Sequence, residues 1–340
     1  MHYQNTLTQY TLGLLAILLT GIFFIELKEV LLPILFAIIL CATILPWVKL
    51  LIRWKFPETL SITVSLLSIY LLIFLVSWWI YSSLSMFQSD YPVIQTKATH
   101  YLNKTDTFLK SNGMNIDILQ PKINEILLKG SEIIGSVLLS ISGLAGKLVL
   151  ATIYSFLMLV YRKNIYQAFE AILGEDRKEN TSSFFSNLSE TLSGYITGLL
   201  QVQFFVFIGL WILLAISGVT HSLFFAFLGA ILNIIPYIGI FSVGILVSLY
   251  SLLMTGSWGF MVWVLIIFWI IHVLEANFIT PKLMGKIMNL NPLATIIFII
   301  LGGHLWGFSG MILAIPVTAT LRIILEHSTS LKAWALFLKD

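Results

Sequence analysis

An all-α, polytopic transmembrane helical bundle of about eight spans is the fold this sequence predicts, and three observations carry the prediction. The 340 residues are 58% hydrophobic, 14% aromatic and 10% charged, against about 25% charged in an ordinary soluble chain. The mean hydropathy is +0.96, more apolar surface than a water-solvated fold can hide, so lipid must be part of the solvent. The apolar residues also gather into runs close to the roughly 20 residues that a helix needs to cross about 30 Å of hydrocarbon.

The spans follow in order. Thr11–Ile25 is the first and Val30–Leu45 the second, joined by the charged turn Glu26-Leu27-Lys28-Glu29. Pro46 is expected to end the second, because proline lacks the N–H a helix interior uses, and Lys49, Arg53 and Lys55 follow it. Thr59–Ser85 is the third. From Met86 to Glu132 charges recur, and Tyr91, Ile94, Ala98, Tyr101 and Phe108 repeat at helical spacing, which predicts an extramembrane amphipathic helical segment. Asn112-Gly113 is read as its break and Pro121 as the start of a second helix. Ile134–Tyr161 is the fourth span, closed by Arg162-Lys163, and Thr191–Ile216, after a polar linker, is the fifth.

The last third is different. Leu223–Met254 has 32 residues and no charge. As one straight helix it would be about 48 Å long, too long for a bilayer. Asn233-Ile234-Ile235-Pro236-Tyr237-Ile238-Gly239 lies in its middle and predicts a broken helix or a re-entrant hairpin. After the apolar helix Trp258–Ile271 and a polar connector, Leu293–Leu325 is a second long run, interrupted by Gly302–Gly310 and then by Pro316. Two interrupted apolar runs separated by one helix are the sequence pattern of a transport site built from discontinuous helices. The chain is therefore read as 1–85, three transmembrane helices; 86–132, extramembrane amphipathic helices; 133–216, two transmembrane helices with a polar cytoplasmic linker; 217–326, a broken-helix transport core; and 327–340, a cytoplasmic tail. Basic residues in short loops place both termini in the cytoplasm. The connector carrying Lys282 and Lys286 falls inside only if 223–254 returns as a hairpin rather than crossing.

Several function classes are disfavoured. The formal net charge of +3 is scattered, without the basic block that nucleic acid calls for. There is no phosphate-binding G-x-x-x-x-G-K-[ST] loop, no H-E-x-x-H and no Cys/His cluster, so neither an enzyme nor a metal centre is expected. The one cysteine, Cys41, is read as a buried apolar residue. Ionisable groups at membrane depth are expensive and draw attention as functional candidates. Glu275 leads them, with His272 three residues earlier on the same helix face and with Asn277, Thr280 and Pro281 following. A carboxylate among neutral oxygens suits Na⁺ or a proton as coupling ion, with no other cofactor. Asn233, Pro236, Tyr237 and Gly239 would contribute backbone carbonyls and half-helix ends at the break. At the second break Gly302, Gly303 and His304 are candidates, although Gly303 and Gly307 also have the spacing of close helix packing. Gln201 or Gln203 is expected to bond between helices, Arg322 and Glu326 to form an ordinary ion pair, and Lys147 to snorkel.

Four ordered blocks carry a family resemblance: NIIPYIG at 233–239, Glu275, TPKLMGKIMNLNP at 280–292 and GGHLWGFSGMILAIP at 302–316, with the Tyr195–Gly198 patch before them. Together they resemble the autoinducer-2 exporter family of bacterial membrane proteins. The sequence departs from that family at Ile240 and at Gly198-Leu199. The resemblance implies eight helices, the inner membrane of a bacterial cell, and a homo-oligomer, with a pentamer the assembly it suggests. It also implies export of the quorum-sensing molecule autoinducer-2 or a similar small polar solute, or Na⁺(Li⁺)/H⁺ antiport through Glu275. A non-transporting oligomeric membrane scaffold is the remaining alternative, suggested by the scarcity of intramembrane charge.

Overall fold

The computed structural model describes residues 2–111, 149–173, 178–235, 239–288, 290–327 and 332–338. The Asn112-Gly113 break, the helix start at Pro121, the rest of the 86–132 segment beyond Ser111, the fourth span before Val149, Lys147, Pro236 and Tyr237 lie outside the described residues.

All described elements are helical: α1 (His2–Glu26), α2 (Lys28–Arg53), α3 (Glu58–Ser111), α4 (Val149–Val160), α5 (Arg162–Leu173), α6 (Lys178–Ile216), α7 (Ser222–Leu232), α8 (Gly239–Thr255), α9 (Trp258–Leu274), a π-helical turn at Glu275–Ile279, α10 (Thr280–Met288), α11 (Pro292–His327) and α12 (Lys332–Leu338). Among the described residues five helices are long and apolar enough to cross a membrane, and α1, α4, α7 and α8 add shorter apolar helices.

Three boundaries differ from the sequence reading. Pro46 does not end α2, which runs on to Arg53; one proline removes one donor, and the apolar residues Trp47, Val48, Leu50, Leu51 and Ile52 keep the next turns helical. The third span does not stop at Ser85: α3 continues through Pro92 to Ser111 as one helix of 54 residues, with no glycine between its apolar and amphipathic halves and with Pro92 removing one donor without ending the helix. The polar linker before the fifth span is largely helical too, as α5 and the first turns of α6.

The chain forms two compact units. The first comprises residues 1–67, 147–199 and 284–340, and the second 68–146 and 200–283. In the first, Leu32, Ala37, Ile44 and Val48 of α2 and Ala151, Ser155 and Leu159 of α4 are buried, the latter three at four-residue spacing on one helix face. The Ser155 hydroxyl donates to Ala37 O at 3.2 Å, in α2, and to Ala151 O at 2.7 Å in its own helix. On the partly exposed side of this unit Arg162 pairs with Glu58 at 2.7 Å and Arg322 with Glu326 at 3.2 Å, the latter as the sequence suggests.

In the second unit α6 turns Val202, Val206, Leu210 and Leu214 inward. The opposite face keeps Leu200, Phe204, Phe205, Trp211 and Ile212 exposed. A helix apolar on both faces belongs in lipid, with the residues that pack against protein marked by burial rather than by hydrophobicity. Phe268 and Ile271 of α9 fill notches left by glycine: a Cβ at Gly244 would lie 3.1 Å from the Phe268 ring, one at Gly229 3.4 Å from it, and one at Gly209 2.7 Å from Ile271 Cδ1. Small residues thus let α6, α7 and α8 close on α9.

Candidate functional site

Both interrupted runs are bent, as their glycines and prolines predict, and the two bends differ. The first is a helical hairpin. Phe225 of α7 meets Tyr250 of α8 with ring centroids 4.9 Å apart, and a Cβ at Gly229 would lie 3.8 Å from Val243. Residues ever farther from the break are thus paired across it, as in an antiparallel pair. At about 16 Å, α7 is too short to cross the hydrocarbon alone. The turn is tight: any Cβ on Gly239 would collide with the carbonyl of Leu232. That carbonyl already accepts the Ile235 N–H at 3.0 Å, while the Asn233 N–H bonds Gly229 O at 2.9 Å. The described backbone of the break is therefore more fully bonded than the sequence reading supposes. Asn233 is buried, and its amide donates to Gln203 Oε1 of α6 at 3.5 Å, so Gln203 is the glutamine that bonds between helices while Gln201 is exposed.

The second bend lies inside α11, in the first unit. Gly307 has φ 61° and ψ −141°, a backbone conformation reserved for glycine. On either side of it the chain nearly touches itself: a Cβ at Gly302 would sit 2.5 Å from the carbonyl oxygen of Gly310, and one at Gly310 would overlap that of Gly302. Gly303 faces Met311. The close approach is thus Gly302–Gly310, not the Gly303–Gly307 spacing visible in the sequence. His304 is exposed. Trp306 donates its Nε1–H to Phe24 O of α1 at 2.9 Å.

The polar cluster of the second unit is built on the π-helical turn. A π-helix bonds each N–H to the carbonyl five residues back, and here the Thr280 N–H bonds Glu275 O. This extra residue per turn stacks position 280 on position 275, and the Thr280 hydroxyl donates to Glu275 Oε1. His272 approaches from the preceding turn, with Nδ1 3.7 Å from Glu275 Oε2. The side chains of His272 and Glu275 are 24% and 14% exposed, and His272 Nδ1 is buried with no hydrogen-bond partner. Phe241, two residues after Gly239, stands edge-on to the imidazole at 4.8 Å, so the start of α8 touches the cluster.

Glu275 sits within the 27-residue candidate span Trp258–Met284, and among the described residues it pairs with no lysine. A mostly buried carboxylate holding one hydroxyl, beside an imidazole with an unused buried nitrogen, has lone pairs free for a cation or a donor group of a solute. Of the sequence candidates the structure brings together His272, Glu275 and Thr280, with Asn233 and Gly239 at the adjoining hairpin. Asn277 instead donates to Val273 O at 2.9 Å, and Pro281 is exposed. The π-turn, Phe241 and Ser155 were not anticipated. Nothing in the letters EANFI announces a π-turn, whereas Phe241 is reachable from the i, i+2 proximity to Gly239.

A polytopic helical membrane protein with bent apolar segments and a carboxylate within a candidate span is the class these features define. The model of the AI-2E family of transporters matches residues 12–330, and the chain belongs to that family. It is 24% identical to YrrI of Bacillus subtilis strain 168, provisionally named a transport protein, over 90% of this chain and 88% of that one. It is 22% identical to the AI-2 transport protein TqsA of Escherichia coli K12, over 97% and 94% of the two chains. YueF of Bacillus subtilis, also provisionally named a transport protein, is 28% identical over 88% and 84%.

Proposed function

We propose that the protein is a secondary transporter exporting a small polar solute, autoinducer-2 or a molecule of similar polarity, with Glu275, Thr280 and His272 as its polar contact. The observation that carries this reading is the Glu275–Thr280 pair on the π-turn, beside the orphaned His272 nitrogen and against the α7–α8 hairpin. Membership of a transporter family supports transport, and the name of TqsA suggests the solute. The test is flux in proteoliposomes. Wild-type protein moves the solute and Glu275→Gln loses at least tenfold in rate, an effect of the size expected for one charge-assisted hydrogen bond. Equal flux for the two proteins would falsify the role of Glu275.

A second reading, Na⁺(Li⁺)/H⁺ antiport, is favoured by the same carboxylate and hydroxyl oxygens, which are hard ligands. It requires that acridine-orange quenching in inverted vesicles relax on addition of Na⁺ or Li⁺ and that Glu275→Gln abolish the response. The setting proposed for either activity is the bacterial inner membrane, with both termini cytoplasmic and the protein a homo-oligomer.

A further inference from the structure

In the first unit, between α2 and the N-terminal half of α6, there is an open groove of about 360 Å³ with Lys49 on one wall and Glu190 on the other, both of them exposed. No ion pair joins them, and neither makes one with any other described residue. An ammonium and a carboxylate that face one groove without meeting leave a gap that a molecule carrying both opposite charges would bridge.

Two further features of the lining suit such a molecule. Ala42 and Pro46 both belong to it. Pro46 lies inside α2 and has no N–H, so the carbonyl of Ala42, four residues earlier, has no α-helical donor. The opposite wall carries Ser186, Ser189 and Ser193. Elsewhere in these helices hydroxyls return to the carbonyl four residues back, as at Ser155, Ser217, Ser248 and Thr318, the usual habit of serine and threonine in a helix. The three groove serines make no hydrogen bond with a described residue, which leaves their hydroxyls available to a ligand.

We propose that this groove binds a small zwitterion, its primary ammonium on Glu190 and the Ala42 carbonyl, its oxyanion on Lys49 and the serine hydroxyls. The same chemistry is offered by a free amino-acid-like solute and by the head group of phosphatidylethanolamine. The site uses residues of the first unit alone and does not depend on the reading of Glu275.

The test uses the full chain in phosphatidylcholine nanodiscs, whose quaternary ammonium has no hydrogen to donate. In one arm glycine and O-phosphoethanolamine are titrated calorimetrically. In the other, nanodiscs containing both phosphatidylethanolamine and phosphatidylcholine are examined by native mass spectrometry for retained lipid. Saturable binding of glycine identifies a free solute; selective retention of phosphatidylethanolamine, with or without binding of O-phosphoethanolamine, identifies a head group; either upholds the site. In whichever arm responds, Lys49→Gln and Glu190→Gln are expected to weaken binding about tenfold each, the size of a lost hydrogen bond to a charged group. Pro46→Ala restores a helical N–H to the Ala42 carbonyl and is expected to weaken binding while leaving thermal stability unchanged or raised, so a misfolded protein cannot mimic its effect. Absence of binding in both arms, or binding that all three variants leave intact, overturns the proposal.

Discussion

Replacing Gly310 by alanine tests the second bend at its most crowded point. The new Cβ would overlap the carbonyl oxygen of Gly302 and lie 3.0 Å from Trp306 Cβ. The first of these is backbone on the other limb of the bend, so relief requires the two limbs to separate rather than one side chain to rotate. Overpacking of that kind costs about 1–3 kcal/mol, and with backbone as the obstacle the upper end applies. Two neighbours provide the scale. At Gly303 the added Cβ meets Met311 Cε at 2.7 Å, the tip of a flexible side chain that can swing away, for a cost below about 1 kcal/mol. At Gly307 nothing lies within 4 Å, and the cost comes from φ 61° and ψ −141° alone, about 1–3 kcal/mol for a residue with a Cβ. At about 2–4 °C per kcal/mol for a chain of this order of size, Gly310→Ala should lower the unfolding midpoint by roughly 5–10 °C, Gly307→Ala by a similar or smaller amount, and Gly303→Ala by no more than a few degrees. Tryptophan fluorescence during a thermal ramp in detergent reads all three. A Gly303→Ala protein less stable than Gly310→Ala would refute the assignment of Gly302–Gly310 as the contact that shapes the bend.

Other expectations follow from single contacts. Thr280→Val should leave Glu275 without its hydroxyl donor and reduce transport about tenfold, while Thr280→Ser restores it; proteoliposome flux distinguishes the pair. Lys97 donates to Met254 O at 2.8 Å at the C-terminal end of α8, so Lys97→Met should expose that carbonyl and cost about 1–2 kcal/mol, seen as faster amide exchange around residues 252–256. Ser155→Ala removes the bond from α4 to α2, and bonds of this type between membrane helices average about 0.6 kcal/mol, so the midpoint should fall by only a degree or two. Glu58→Gln should be nearly silent, and any effect should vanish in high salt, because both partners of the Arg162–Glu58 pair are more than a third exposed.

Much of the fold was legible because a membrane leaves few choices. Once the composition demanded lipid, every backbone N–H and C=O needed a partner within its own segment, and the glycines and prolines at 233–239 and 302–316 marked where those segments bend. Pro46 misled because proline reports a missing donor and not a missing helix; its flanking apolar residues decided the outcome. The length of α3 was hidden because hydropathy changes at Met86 and Pro92 follows, although neither ends the helix. The site was half legible. The three-residue spacing of His272 and Glu275 follows from ordinary helix geometry, whereas the meeting of Glu275 with Thr280 depends on one added residue per turn that local composition does not encode. The opposition of Lys49 and Glu190 was beyond reach for a plainer reason: they are 141 positions apart in the sequence, and only packing of α2 against α6 puts them in one groove.

The uninterrupted α3 has a mechanical consequence. Its 27 residues beyond Leu84 form an arm about 40 Å long, so a tilt of about 5° in the apolar half sweeps the far tip through roughly 3.5 Å if the rod stays straight. Pro92, with one backbone bond missing, is the point where such a rod would flex first. Lys97 ties the arm to the end of α8, so a reporter beyond that contact, between Tyr101 and Ser111, would magnify small rotations of a span that are too slight to register inside the bilayer.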